Sequence, residues 1–162
     1  MCLVLRHKCK EPHNRNRRRW KLLKIRCYKY KINGRFIENL ATVYLTSPFY
    51  ANSVPVGRWH NLPKDEMPGQ PRTRFDSNGF HVFVNREDAE CHKQVSGEVT
   101  LVFPVTVRRF LRSGHSQNPM RYPQETWASY RISRATARRI VLRSRVIHPS
   151  VKHKLRLTFR NF

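Results

Sequence analysis

The sequence predicts an α+β fold, with a single domain made of a mostly antiparallel curved sheet, one or two short helices and a long central loop. Apolar and polar residues alternate in several runs, as in Val151 to Arg160, and this period of two is typical of strands. The turn dipeptides Asn33-Gly34 and Asn78-Gly79 suit connections into strands. A length of 162 residues with 39% hydrophobic content is enough to bury one core.

Residues 1–19 are predicted to form a basic N-terminal arm, and residues 20–162 the α+β domain. The run from His13 to Arg19 is rich in Arg and Asn. Such a run cannot bury apolar surface and is expected to order on a polyanionic partner. The four cysteines lack the tight paired spacing of zinc sites, so neither a metal nor a cofactor is predicted.

Trp20 to Leu45 is predicted to be a hairpin around Asn33-Gly34. Leu23 and Ile25 share one face of the first strand, whereas from Tyr28 the apolar residues move to even positions. A shift of phase by one residue predicts a β-bulge near Cys27.

The section from Thr46 to Ser77 is predicted to be a long irregular loop, because it holds several prolines and shows little periodicity. Its segment Gly57-Arg58-Trp59-His60 is expected to pin the loop to the core through Trp59. Phe80 to Val84 then reads as a strand, and Asn85 is expected to cap a helix from Arg86 to about Gln94.

The C-terminal third is predicted to contain several short elements. Glu98 to Val107 is an apolar strand in which Pro104 indicates an edge or a bulge. Residues 113–123 form a loop and Trp127 to Ile132 a strand. Ser133 is expected to cap a short helix from Arg134 to about Ile140, which runs into a strand over Arg139 to Ile147. Val151 to Arg160 is expected to be a final strand.

The net charge of +23 is carried entirely by the two ends of the chain. Residues 1–36 hold 13 Lys and Arg against one acid, and residues 108–162 hold 14 against one. Residues 37–107 hold six Lys and Arg against eight acids. A charge of this size indicates a polyanionic partner, with nucleic acid favoured over an anionic membrane. If the two ends pack side by side, they form one basic surface.

The favoured function is therefore non-enzymatic nucleic-acid binding, with RNA or a ribonucleoprotein preferred over a specific DNA sequence. Lys and Arg would neutralise phosphates, and aromatic residues between them would stack on bases. The candidate binding residues are Arg15, Arg17, Arg18, Arg19, Trp20, Lys24, Arg26, Tyr28, Lys29, Tyr30, Lys31, Arg138, Arg139, Arg143, Lys152, Lys154 and Arg156.

Two alternatives remain open. The basic surface could bind an acidic protein surface, as an inhibitor of a host or CRISPR-type defence complex would. An enzyme acting on nucleotides or RNA would centre on His81, with Tyr44 or His60 as the second acid–base group, since histidine titrates near neutral pH. No catalytic motif of useful specificity is present, so an enzyme is disfavoured.

The chain resembles small uncharacterised phage and prophage proteins. The resemblance lies in the Met1-Cys2 start, the element Leu45 to Tyr50 and the Gly79 to Ala89 strand-to-helix segment. It covers at most residues 1–110, and it implies a viral origin and a host-directed role rather than an established activity. The absence of a secretory segment and of a long apolar run predicts a cytoplasmic protein, in the host cytoplasm if phage-encoded, with no membrane contact.

Overall fold

The computed structural model describes residues 3–5, 16–32, 35–47, 53–67, 75–76, 79–96, 100–116, 121–143 and 158–159. Side chains of residues 26–43 are outside this description. Within these ranges the chain forms a mostly antiparallel sheet with two helices, which confirms the α+β class. The strands are β1 Leu3–Leu5, β2 Arg17–Ile32, β3 Arg35–Thr46, β4 Ser53–Val54, β5 Trp59–Asn61, β6 Phe75–Asp76, β7 Phe80–Phe83, β8 Thr100–His115, β9 Pro123–Arg131 and β10 Thr158–Phe159. The helices are α1 Arg86–Ser96 and α2 Arg134–Arg143, with one 3-10 turn at Lys64–Glu66.

Four strands pair in a closed circuit. β2 pairs with β8, β8 with β9, β9 with β7, and β7 returns to β2 through the pair of Trp20 with Phe83. All four pairings are antiparallel, whereas the short β10 lies parallel to β3. The circuit requires the sheet to curve back on itself, so the two faces of β2 have different surroundings.

The inner face of this circuit holds the main core. Leu23, Val82, Phe103 and Tyr130 belong to one buried cluster, which Val141 of α2 completes. Burying side chains of this size supplies roughly 1.5–3 kcal/mol each. The outer face carries a smaller cluster of Leu22, Phe83, Ala89 and Val102, which α1 covers. The two helices therefore lie on opposite sides of the sheet.

The first hairpin is confirmed, including its bulge. β2 and β3 pair from Lys24↔Thr46 to Ile32↔Arg35, and the register shifts between Cys27 and Tyr28. The positive φ of Gly79, 87°, also fits the predicted turn before β7. A Cβ there would lie 2.8 Å from Leu111 Cδ1, so the position favours glycine on both grounds.

The section from Thr46 to Ser77 contains short strands and a 3-10 turn, and is therefore more regular than the predicted loop. β4 pairs with β3 and β5 pairs with β9, although nothing in the local sequence predicts these long-range partners. β1 and the beginning of β2 fall in the predicted basic arm, and residues 6–15 of that arm lie outside the described residues.

The predicted loop over residues 113–123 is wrong in its first part. β8 extends to His115 because Gly114 and His115 pair with β9 on one side and β1 on the other. Pro104 lies opposite Trp20 in the β2–β8 ladder, two residues before the β8–β9 ladder begins at Thr106. Its missing N–H therefore removes no bond from the β9 side, consistent with the predicted edge character.

The two helices begin where predicted but end later. Asn85 Nδ2 donates to Asp88 Oδ2 at 3.0 Å at the start of α1. At α2, Ala137 N donates to Ser133 O at 2.9 Å. The strand predicted from Arg139 is wrong as far as Arg143, because Ala137 and Val141, four residues apart, bury one helical face. Residues 144–157 lie outside the described residues, so the predicted final strand is described only at Thr158–Phe159.

Candidate nucleic-acid interface

A row of paired residues crosses the outer face of the sheet beyond the first residue of α1. Arg18 of β2 pairs with Thr106 of β8, Thr106 with Arg131 of β9, and Arg131 with Trp59 of β5. Directly paired residues project from the same face of a sheet. Trp20 and Arg108, two residues along their strands from Arg18 and Thr106, project from that face as well.

We call this surface the arginine–tryptophan face. Its members are guanidinium and indole groups that lie on the outer side of β2, β8, β9 and β5 or at the first residue of α1. They are Arg18, Trp20, Trp59, Arg86, Arg108, Arg109 and Arg131.

Two arginines lie over the ring of Trp59. The Arg108 Cζ is 4.1 Å from the centroid of the Trp59 ring, and the Arg131 Cζ is 5.1 Å from it. The two guanidinium carbons are therefore at most about 9 Å apart. Each cation–π contact contributes roughly 0.5–1 kcal/mol at an exposed site. At this largest separation the repulsion between the two charges costs about 0.5–2 kcal/mol, depending on the local dielectric, and it increases at shorter distances. An anion placed between them would relieve that repulsion.

Gly57 sets the position of Trp59. Its φ is +81°, in the left-handed region that favours glycine, and its N–H donates to Ile132 O at 2.8 Å. A Cβ at Gly57 would lie 2.8 Å from the side chain of Arg134. This close approach joins the start of β5 to the connection between β9 and α2.

Arg109 reaches the same face through an unusual backbone conformation. Its φ of 58° makes it the one non-glycine residue with positive φ among the described residues. The β8–β9 ladder passes from Arg108↔Ser129 to Phe110↔Trp127 and shifts register before Arg112. Regular alternation would point Arg109 away from Arg108, yet its Nη2 donates to Ser129 Oγ at 3.0 Å. Ser129 Oγ in turn donates to Asn61 Oδ1 at 2.8 Å, which anchors β5. Irregularities of this kind re-aim side chains, and strained residues of this kind cluster at functional sites.

Trp20 forms the second half of the face. The Cζ atoms of Arg18 and Arg86 lie 5.2 and 5.4 Å from its ring centroid. The indole packs against the cluster around Leu22 and Phe83, which supports it from below. Arg86 also lies 3.9 Å from Glu90, but both side chains are largely exposed, so the ion pair is weak.

The face carries a surplus of positive charge. Of its five arginines, Arg86 is the only one that lies within 4 Å of a carboxylate in the part of the chain that the structure describes. The arrangement can therefore hold phosphate groups beside aromatic rings.

The predicted binding residues of β2 divide between the two faces. Arg18 and Trp20 belong to the arginine–tryptophan face, and Lys24 lies further along the same side. Arg19 lies on the inner side, where its Nε donates to Glu125 Oε1 and only 16% of its side chain is exposed. Arg17 alternates with Arg18 and is exposed.

The remaining predicted binding residues lie elsewhere. Arg138, Arg139 and Arg143 are exposed on α2, on the opposite side of the sheet. Arg15, Lys152, Lys154 and Arg156 lie outside the described residues, as do the side chains of Arg26, Tyr28, Lys29, Tyr30 and Lys31.

The predicted acid–base residues are not brought together. His81 lies between Phe80 and Val82, which belong to the inner core, so alternation places its side chain on the outer side. His60 lies on the inner side, with its ring 4.6 Å from that of Phe80. Tyr44 is in β3, opposite Arg26.

His60 instead joins an inner cluster with Lys21 and Tyr130. His60 Nδ1 is 3.1 Å from Tyr130 Oη, and Lys21 Nζ donates to the His81 carbonyl at 3.0 Å. The Lys21 ammonium also lies 5.0 Å from the centroid of the Tyr130 ring.

Burial perturbs all three groups of this inner cluster. It lowers the pKa of Lys21 to about 8. Burial, reinforced by the charges of Lys21 and Arg58, lowers the pKa of His60 to about 4. It also raises the pKa of Tyr130. A neutral imidazole, a neutral phenol and a half-buried amine form a hydrogen-bonded core network, and no carboxylate of the described residues completes an acid–base pair with them.

Sequence reasoning missed Trp59 as a surface residue, together with Arg108, Arg109 and Arg131. The segment Gly57-Arg58-Trp59-His60 was the available signal, but it was expected to pin the loop to the core. The arginines become neighbours of Trp59 only through the β5–β9 and β8–β9 registers, which local patterns do not contain.

In comparisons with known proteins, no family model, curated protein or solved structure matches the chain. Among the described residues, no three His, Cys, Asp or Glu side chains converge as a metal site. No helix in the described part of the chain is both long and apolar enough to cross a bilayer.

Proposed function

We propose that this protein binds nucleic acid through the arginine–tryptophan face, with RNA or a ribonucleoprotein as the favoured partner. The observation that carries the proposal is the flanking of Trp20 and Trp59, each by two guanidinium groups, on one face of the sheet. Arginine suits this role because its planar fork binds phosphate oxygens in pairs and also stacks on aromatic rings.

The chain-wide charge supports the same proposal. The face draws Arg18 from the basic N-terminal end and Arg108, Arg109 and Arg131 from the basic C-terminal end. The sheet joins the two ends through the β2–β8 ladder. Phosphate contacts of this kind release counterions, so affinity falls as salt rises. In a phage-infected cell, the setting that the resemblance implies, the target would be nucleic acid in the cytoplasm.

The test is a pair of charge reversals that change the net charge equally. Arg108→Glu/Arg131→Glu alters the face, and Arg138→Glu/Arg139→Glu alters exposed arginines of α2 on the other side of the sheet. Binding of a labelled 20-nucleotide RNA is measured by fluorescence anisotropy from 50 to 300 mM salt. We expect the face variant to lose at least about 100-fold in affinity at low salt, with a log–log salt slope shallower by about 1.4, since each phosphate contact to a single strand contributes about 0.7. We expect the α2 variant to change several-fold at most.

Circular dichroism and thermal melting establish that both variants fold. Equal losses in the two variants would mean that overall charge, rather than the face, governs binding. If the wild-type protein binds no nucleic acid at low salt, the proposal is wrong. Capture of an acidic protein that persists after nuclease treatment would then favour the inhibitor alternative.

A further inference from the structure

We infer that the nucleic acid held by the arginine–tryptophan face is single-stranded, with one base stacked on Trp20 and another on Trp59. This inference rests on the proposed function and specifies the class of ligand. It starts from the position of the two indoles, which project from one face and are separated by paired strands of known register.

The register gives their spacing. Trp59 and Arg18 lie in one row, three strand spacings apart, and Trp20 is two residues further along β2. With strands about 4.8 Å apart and a rise of about 3.4 Å per residue, the two tryptophan Cα atoms are at most about 16 Å apart, because the curvature of the sheet shortens the direct distance. At about 3.4 Å per stacked nucleotide, this distance spans at most about five nucleotides. A short single strand can therefore reach both rings.

Both indoles are held in place for stacking. Trp20 rests on the cluster around Phe83, and Trp59 belongs to β5, which is bonded to β9 and anchored through Asn61. Both rings are half-buried, so each retains accessible surface. The flanking arginines can leave the ring for a phosphate, or remain as a second stacking surface, when a base arrives.

A duplex would leave the indoles unused. Its bases are already stacked on each other, so an open sheet face would contact only phosphates and sugars. An unpaired base offers its π-face to an indole, whichever base it is. Arginines alone would be enough to bind the phosphates of a duplex. The two tryptophans, each with two guanidinium groups over its ring, favour a ligand with exposed bases.

The experiment compares single strands with duplexes in the full-length protein. A 12-nucleotide RNA, the same sequence as DNA, and the corresponding duplexes are titrated into wild type, Trp20→Leu, Trp59→Leu, and the Phe variants at both positions. We expect the Leu variants to lose roughly 10-fold in single-strand affinity each while duplex binding is unchanged, and the Phe variants to retain most of it. Wild-type tryptophan fluorescence should be quenched by the single strand. Trp127 is 1% exposed, so its share of the emission should remain at saturation.

The outcomes separate this inference from the proposed function. Equal losses for single strands and duplexes in the Leu variants would show that the indoles only position the arginines, and would overturn the inference while nucleic-acid binding stands. Equal wild-type affinity for the two forms, without quenching, would overturn it as well. Tighter binding of the RNA or of the DNA single strand identifies which of the two is the natural ligand. Either preference supports the inference. Absence of binding to every probe at low salt would reject the proposed function itself.

Discussion

Replacing Lys21 with Met should stabilise the protein at neutral pH, and the gain should shrink as the pH rises. Lys21 Nζ donates to the His81 carbonyl at 3.0 Å and lies over the rings of Phe80 and Tyr130. Burial lowers its pKa from 10.5 to about 8. Met keeps the length and apolar stem of the side chain and removes the charge.

The size of the stabilisation follows from the lowered pKa of Lys21. A fall from 10.5 to about 8 corresponds to about 3 kcal/mol of unfavourable free energy for the protonated amine in the fold. Loss of the donor to the His81 carbonyl returns about 1 kcal/mol, so the expected net gain near pH 7 is about 2 kcal/mol. Between pH 8 and 10.5 the unfolded chain still binds a proton that the folded chain has released. The stability of the wild type therefore rises with pH across this window relative to the variant.

The assay is urea unfolding of wild type and Lys21→Met at several pH values from 7 to 10.5, since urea does not screen charge. The difference in free energy of unfolding should fall by up to about 3 kcal/mol from the lowest to the highest pH. Titration of Tyr130 is common to both proteins and cancels. Lys64→Met, at an exposed site, is the matched control and should leave the pH dependence unchanged. A difference that is constant with pH would refute the reasoning that Lys21 is desolvated.

Two further predictions concern charged residues of the sheet. Glu125→Gln should destabilise the protein by about 2–3 kcal/mol in thermal melts, because Glu125 is the partner of the mostly buried Arg19 and also accepts from Trp127 Nε1 at 3.1 Å. The double variant Arg19→Met/Glu125→Gln should recover part of that loss, and a loss no larger than that of the exposed Glu87→Gln would contradict the role of the pair. Arg109→Gly should be about 1 kcal/mol more stable than Arg109→Ala, since both lose the bond to Ser129 but only Ala keeps the strain of a φ of 58°. Equal melting temperatures of these two variants would show that Arg109 is not strained.

Local sequence patterns were sufficient to predict those elements whose contacts join residues close together in the sequence. The phase change at Cys27 and Tyr28 predicted the bulge of the first hairpin, because alternation in β2 is written directly in its sequence. The starts of both helices were predictable for the same reason. The inner position of Lys21 also had a signal, since Lys21 shares its parity with Leu23 and Ile25. Alternation alone does not indicate that a lysine points inward, because burying a charged group is costly.

The candidate face was only partly predictable. Arg18 and Trp20 were expected as binding residues from the charge of the N-terminal segment. The sequence predicts that Trp59 pins the loop to the core, because an isolated tryptophan in a loop usually packs there. Its actual neighbours depend on β5 adding to β9, and a three-residue strand has no sequence signature. Arg109 depends on a left-handed residue inside a strand, which its own sequence context does not indicate.

The extent of α1 explains why the face is open. A helix of 11 residues is about 16 Å long, and α1 covers the outer side of the sheet around Leu22 and Val102. It begins at Arg86, whose guanidinium lies over Trp20, and the sheet beyond that point has no helix on it among the described residues. An uncovered sheet surface must be polar or bind a partner. Here the uncovered part carries arginines around two supported indoles rather than a mixture of charges. That choice of residues is costly for an isolated protein of charge +23, and the proposed single-stranded partner, with its phosphates and exposed bases, would offset that cost.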